Sequence, residues 1–188
     1  MRSAIVITAS NRAVAGVYKD LSGRALKEGL TSLGYQVVGH KLVQDDLHQI
    51  ATTIKGAIEE GIDLIVTTGG TGISPTDVTP EATKPLLQKE LPGFAEAMRS
   101  FSREKVPTAD LSRGLAGVTN KSLIINLPGQ PKAIAQTLEG LKDETGKQTV
   151  HGIFAAVPYC LDLIGAPYIE TNPEIVQSFR PKSAKKPA

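Results

Sequence analysis

Four short stretches of the chain are apolar enough to be buried strands: Ala4 to Ala9, Tyr35 to Val43, Leu64 to Thr68 and Leu123 to Leu127. The first and third run almost unbroken in apolar or β-branched residues, the pattern of a parallel strand covered on both faces. The segments between them carry another period. Leu26, Leu30 and Leu33 stand at i, i+4 and i+7; Ile50, Ile54, Ala57 and Ile58 follow the same rule, as do Ile134, Leu138 and Leu141. Each set forms an apolar stripe that can lie on a sheet. A β-α-β-α-β alternation with right-handed crossovers predicts an α/β fold, a three-layer α/β/α sandwich around a mostly parallel mixed sheet. Two apolar arms, Gly114 to Val118 and Ser122 to Asn126, flank Thr119-Asn120-Lys121 as a hairpin would, which makes one strand antiparallel.

Local punctuation sharpens the boundaries. Thr79-Pro80-Glu81 reads as a hydroxyl N-cap, a proline at the first helical position and an acid in the first turn. Gln130-Pro131-Lys132 opens another helix with a weaker cap, and Asp46 is placed to cap the helix from Leu47 to Glu60. Glu90-Leu91-Pro92-Gly93-Phe94 breaks the helical region, and Gly140 to Gly146 reads as a polar connection.

Length changes the picture little. The 188 residues are the size of one domain, expected over 1–179, with a basic, mobile tail over 180–188. Forty per cent apolar and 21% charged residues exclude wholesale disorder, and a single Cys160 excludes a disulfide scaffold and paired-cysteine zinc sites. The net charge of +2 depends on that tail; without it, 17 basic residues face 19 acidic ones, which argues against nucleic acid as partner. No stretch is long enough for a membrane span, and the apolar run after Met1 is too short for a signal peptide, so the cytoplasm is expected. His40, His48 and His151 lack zinc-ligand spacing.

Four loops could carry chemistry. Thr68-Gly69-Gly70-Thr71-Gly72 follows the third strand, at the sheet edge where open α/β folds bind ligands. Its glycines allow close backbone approach, and their N–H groups suit phosphate oxygens; they suit a tight strand-to-helix turn equally well. The P-loop pattern fails for want of a lysine, and the dinucleotide fingerprint fails at Pro75. Asp77, five residues past Gly72, could hold Mg²⁺. Asp45 follows the second strand and, with Asp46 used as a cap, can face the same cleft. Asn126-Leu127-Pro128-Gly129 leads into a helix whose N-terminus favours anions, or is simply a constrained turn. Ser10 and Arg12 follow the first strand, where they could meet a phosphate or polar ring, or cap the next loop.

These motifs occur in a telling order. Thr67-Thr68-Gly69-Gly70-Thr71-Gly72, Asp77-Val78-Thr79-Pro80, Leu91-Pro92-Gly93-Phe94, Pro107-Thr108-Ala109-Asp110-Leu111-Ser112-Arg113 and Asn126-Leu127-Pro128-Gly129-Gln130-Pro131-Lys132 succeed one another. Together they resemble the molybdopterin adenylyltransferases of the MogA type, a family that includes MoaB and the gephyrin G domain. The likeness covers nearly the whole chain and continues through His151 to Cys160 and Arg180 to Ala184.

The resemblance implies a homotrimer that moves AMP from ATP to the terminal phosphate of molybdopterin, with Mg²⁺ assisting and pyrophosphate released. It further implies transient contact with an enzyme that inserts molybdate. It marks two aspartates as essential, matched by Asp45 and Asp77, with Asp77 on the metal. On this reading Thr68, Gly69, Gly70, Thr71 and Gly72 hold the nucleotide phosphates, and Asn126, Leu127, Pro128 and Gly129 complete the nucleotide pocket. Ser10 and Arg12 face molybdopterin. Many relatives carry aspartate where this chain has Asn11, so a metal role there is lost, whereas a hydrogen bond to the loop could survive. The rival expectation is a non-catalytic molybdopterin carrier, since fold alone does not fix function.

Overall fold

The computed structural model describes residues 2–104 and 106–184, apart from the side chain of Phe101. Strands β1 (Ser3–Ala9), β2 (Gln36–Val43), β3 (Leu64–Thr68), β4 (Lys89–Glu90), β5 (Ala116–Thr119) and β6 (Ser122–Leu127) form one sheet in the spatial order β2-β1-β3-β6-β5-β4. The first four positions are parallel; at one side β5 runs antiparallel to β6, and the edge strand β4 runs antiparallel to β5. The hairpin closes at Asn120, which adopts φ 51°, a conformation asparagine tolerates better than most residues.

Helices α1 (Asn11–Val14), α2 (Leu21–Ser32), α3 (Leu47–Glu59), α4 (Thr79–Thr83), α5 (Pro92–Arg103), α6 (Pro131–Glu139) and α7 (Val157–Leu163) cover the sheet. Strand alternation sends side chains to two separate cores. Ala4, Val6, Leu64, Val66, Leu123 and Ile125 pack with α2, α5, α6 and α7 on one face. Ile5, Ile7, Ile65 and Ile124 pack with Ile50, Ile54 and Ala57 of α3 and Ala82 of α4 on the other. The three layers expected from the apolar pattern are thus present. Leu26, Leu30 and Leu33 are fully buried, and truncating any one to alanine costs about 2–5 kcal/mol.

Several local expectations change. Thr79 is the first residue of α4, not its cap; its hydroxyl donates to the Gly69 carbonyl at 3.0 Å, a tertiary bond that outcompetes the local one. Residues 140–146 are not all connection: β7 (Gly140–Lys142) pairs with β8 (Gln148–His151) in a second small sheet. Pro92 and Gly93 do not end a helical region but begin α5. Arg180 does not belong to a free tail. It pairs with Asp162 at 2.6 Å, donates to the Ile169 carbonyl at 2.9 Å and lies 4.4 Å above the Tyr168 ring. Residues 185–188 of the expected tail lie outside the described residues.

Candidate active site

The chain leaves β1 toward β2 on one side and later crosses to β3 on the other, so the sheet order switches direction between β1 and β3. A crevice opens at such a switch, outside the carboxyl ends of the strands. Ala9 ends β1 there and Thr68 ends β3. The chain after Thr68 must turn tightly against β1. Gly69 and Gly70 adopt φ of +90° and +63°. A Cβ on Gly69 would sit 2.3 Å from the Ala9 carbonyl oxygen, and one on Gly70 would sit 2.4 Å from the Thr79 hydroxyl. Both conformation and space therefore demand glycine.

The hydrogen bonds of this loop separate its structural amides from its open ones. The Gly69 N–H donates to the Leu127 carbonyl at 3.3 Å, and the Thr68 hydroxyl donates to the Pro128 carbonyl at 3.0 Å. Those two residues tie the loop to the neighbouring strand end. The N–H groups of Gly70, Thr71 and Gly72 donate to no described residue. Three consecutive free amides on a positive-φ turn make an anion-binding hollow. Gly129 approaches to where its Cβ would be 3.3 Å from the Gly69 Cα, which brings the loop after β6 against the glycine loop.

Two carboxylates flank the hollow. Asp45 accepts from the Asn11 N–H through Oδ2 at 2.8 Å; its Oδ1 lies 3.4 Å from a Cβ placed on Gly70. Asp77 accepts from the Ser74 N–H through Oδ2 at 2.9 Å, and a Cβ on Gly72 would lie 2.8 Å from that oxygen. Each aspartate thus fixes one oxygen on a backbone amide and leaves Oδ1 without a hydrogen bond among the described residues. Asp46 caps α3 through the Gln49 N–H at 2.8 Å, which frees Asp45 for the cleft. Asn11 also accepts from the Asp45 N–H at 3.0 Å. That reciprocal pair is the loop hydrogen bond an amide can supply, without a second negative charge beside Asp45.

Other sequence candidates lie deeper or are engaged. Asn126 is 1% exposed, and its amide donates to the Thr67 and Thr83 hydroxyls at 3.0 and 3.1 Å. Thr83 donates to the Thr79 carbonyl at 2.8 Å, and Thr79 in turn holds Gly69. Asn126 therefore reaches the glycine loop through a buried relay, and the geometry makes it a strut. Leu127 is buried and contributes its carbonyl. Ser10 caps α1 through the Ala13 N–H and meets the Tyr18 hydroxyl at 2.7 Å. Arg12 is exposed, 5.0 Å above the Tyr18 ring.

Beside Thr71 and Gly72 a cavity of about 670 Å³ opens between α5, residues 106–114 and the start of α6. Its walls include Met98, Arg99, Ala109, Leu111, Pro128 and Lys132. Size and a mostly apolar wall with few polar groups suit a nucleotide-sized ligand. Sequence reasoning missed two arginines here. Arg113 donates to the Gly72 carbonyl and to the Asp77 carbonyl, each at 2.7 Å, and pairs with Glu81. Its hydrogen bond and charge hold the Glu81 carboxyl below its ordinary range. Arg99 reaches the carbonyls of Ser112 and Gly114 at 3.3 and 3.4 Å. No local signal marks either role, because both partners lie far along the chain.

The donor set fits a hard divalent cation. Among the described residues no three His, Cys, Asp or Glu side chains cluster as a complete cage. Mg²⁺ does not need one, since it binds through one or two carboxylates plus substrate phosphates. Two carboxylates with an uncommitted oxygen beside an amide hollow provide that arrangement.

Comparison with known proteins decides the family. The model of the molybdenum cofactor biosynthesis family, described as "Probable molybdopterin binding domain", matches residues 5–146. The chain belongs to this family. It is 47% identical over 184 residues to the molybdopterin adenylyltransferase of Escherichia coli K12, covering 96% of this chain and 94% of that protein. The Haemophilus influenzae protein of the same name is 48% identical over 184 residues, with coverage of 96% and 93%. Among solved structures, the molybdopterin biosynthesis Mog protein from Mycobacterium ulcerans matches with a TM-score of 0.77 and 40% identity, over 88% of this chain and all of that one.

Proposed function

We propose that this family member transfers AMP from ATP to molybdopterin in molybdenum cofactor biosynthesis, giving adenylyl-molybdopterin and pyrophosphate. The observation that carries the reading is the pair Asp45 and Asp77, held by backbone amides on either side of the free N–H groups of Gly70 to Gly72. Near full-length identity to proteins named for this activity supports it.

The reaction breaks the bond between the α-phosphorus of ATP and its bridging oxygen, and forms one to an oxygen of the molybdopterin phosphate. The bond electrons leave with pyrophosphate. Such a transfer needs positioning and charge neutralisation more than a covalent enzyme intermediate. The amides of Gly70, Thr71 and Gly72 hold phosphate oxygens; Gly69 and Thr68 shape the loop. Asp77 is the side chain that would hold Mg²⁺, and Asp45 would help orient that ion or the pterin. When bound, the ion supplies neutralisation of the reacting phosphate. Gly129 completes the phosphate side, with Leu127, Pro128 and Asn126 fixing its backbone, and the 670 Å³ cavity takes the base and sugar. Arg12, with Ser10 holding its loop, faces molybdopterin. The active assembly is a homotrimer in the cytoplasm that meets a molybdate-insertion enzyme transiently. No helix among the described residues is long and apolar enough to cross a membrane.

The test is incubation of purified protein with ATP, Mg²⁺ and molybdopterin. Pyrophosphate and adenylyl-molybdopterin should appear in equal amounts. Molybdopterin that stays bound with no pyrophosphate released would leave only a carrier.

A further inference from the structure

Arg113 bonds the glycine loop and the residues after it at four places. Its backbone N–H donates to the Thr71 carbonyl at 2.8 Å. Its Nε donates to the Gly72 carbonyl at 2.7 Å and its Nη2 to the Asp77 carbonyl at 2.7 Å. Nη1 pairs with Glu81 on α4. One residue therefore spans Thr71, Gly72, Asp77 and Glu81, both sides of the exposed stretch from Ile73 to Thr76. At the base of the span Thr79 returns to the loop, its N–H donating to the Gly70 carbonyl and its hydroxyl to the Gly69 carbonyl, each at 3.0 Å. Across residues 73–76 the other ties among the described residues are the Asp77 N–H to the Ser74 carbonyl at 3.0 Å, the Ser74 N–H to the Asp77 carboxylate, and a contact between the Ser74 and Thr76 hydroxyls.

We infer that Arg113 is a positioning residue that clamps the 71–77 loop so that the Asp77 carboxylate stays beside the amide hollow. The planar guanidinium suits this role, because its fixed fork can meet two carbonyls and a carboxylate at once. The clamp is itself seated. Arg99 on α5 holds the carbonyls of Ser112 and Gly114, the residues on either side of Arg113. Arg99 also lines the cavity. The cavity wall is thereby tied through one short segment to the loop that carries Asp77. Arg113 needs no contact with substrate to matter. A displacement of about 1 Å at a reacting group can cost on the order of 10²-fold in rate.

This inference rests on the proposed adenylyl transfer for its kinetic arm but not for its structural arm. The experiment compares Arg113→Ala, Arg113→Lys and Glu81→Gln by hydrogen exchange of the ligand-free protein and by kinetics with ATP, Mg²⁺ and molybdopterin. Arg113→Ala should speed exchange of the hydrogen-bonded amides of Ser74, Asp77 and Thr79 about tenfold or more while the β1 and β3 amides stay protected. It should lower kcat by about 10²-fold, raise the Mg²⁺ concentration needed for half-maximal rate, and change the KM for ATP less than about threefold. Arg113→Lys, which keeps the charge but loses the fork, should recover only part of kcat, and it stands in if the alanine variant fails to fold. Glu81→Gln leaves both carbonyl contacts and should keep kcat within about threefold. Unchanged exchange at Ser74, Asp77 and Thr79 would overturn the clamp, as would a loss confined to KM. If the unaltered protein releases no pyrophosphate, the adenylyl-transfer reading fails, and exchange alone still decides the clamp.

Discussion

The two ends of the central sheet both carry carboxylates and use them differently. At the end where β1 starts, Arg2 is fully buried and donates to the Pro158 carbonyl at 2.9 Å, the Pro167 carbonyl and Asp162. Asp162 gives its other oxygen to Arg180. Nearby, Asp63 accepts from both the amide and the hydroxyl of Ser3. Every carboxylate oxygen of Asp162 is taken by the protein. At the opposite end, Asp45 and Asp77 each use one oxygen and keep the other, and three successive amides have no described partner. Saturation makes a clasp; capacity left over, held in place by a rigid loop, makes a site. Desolvating polar groups without partners is costly in a core, so unspent capacity is tolerated where a ligand or solvent can complete it.

Breaking the saturated end should give the largest effect. Arg2→Met leaves the Pro158 and Pro167 carbonyls unpaired and Asp162 with Arg180 alone. Loss of one partner from a buried ion pair costs about 3–5 kcal/mol, measured as a drop in the free energy of urea unfolding. Because the clasp lies at the far edge, kcat per folded molecule should stay within about twofold of the unaltered protein. A large kcat loss without a stability loss would reverse the comparison.

Asp77→Ala should do the opposite. The carboxylate sits on a loop and ties only the Ser74 amide, so unfolding free energy should change by less than about 1 kcal/mol. Turnover should fall by about 10²–10³-fold, the scale of removing one preorganised charge-stabilising group. Normal pyrophosphate release by the variant would remove Asp77 from the metal site. Asp45→Ala should fall in the same direction, with the added loss of the tie to Asn11.

Asn126 joins the two behaviours. Its carboxamide is buried, with both N–H donors on Thr67 and Thr83 and its oxygen accepting from the Leu115 N–H. Asn126→Ala should cost about 1–3 kcal/mol, the penalty of stranding buried partners. Because the relay ends on Gly69, the same variant should also slow turnover, less than Asp77→Ala does. A stability loss with full kcat would confine Asn126 to the core.

What could be read from the chain follows the same division. The strands β1, β3 and β6 are covered on both faces, so their sequences are continuous apolar runs, and the stripes of α2 and α3 and the Ile134 and Leu138 of α6 face them, whereas Leu141, read with that last stripe, lies in β7. The end loops were visible because glycine, proline and aspartate act locally there. β4 has two residues, and β7 and β8 carry polar positions, so neither offers a period to detect. Arg2 and Arg99 look like ordinary surface arginines, and Arg113 stands only as the end of the Pro107–Arg113 motif, until the fold brings distant carbonyls to them. Arg180 stands beside the lysines of the tail in sequence, yet its partner Asp162 lies 18 residues back. The spending of the Gly69 amide on Leu127 was equally invisible, since it depends on the register of β3 beside β6.

The smallest effect tests how little an exposed pair contributes beside these buried ones. Glu81 and Arg113 are each more than a third exposed. Their pairing holds the Glu81 carboxyl below its ordinary 4.5 in the folded protein. A group with a depressed folded pKa adds stability above its unfolded value and loses it as the pH falls through the folded value. The stability difference between the unaltered protein and Glu81→Gln should therefore be flat above about pH 5 and shrink toward zero in more acid solution. With solvent screening, its plateau should be under about 1 kcal/mol and should fall with added salt. Unfolding free energies at several pH values and two ionic strengths give the measurement. A plateau of several kcal/mol would mean that the pair behaves like the Arg2 clasp, and that the loop edge is as saturated as the far one.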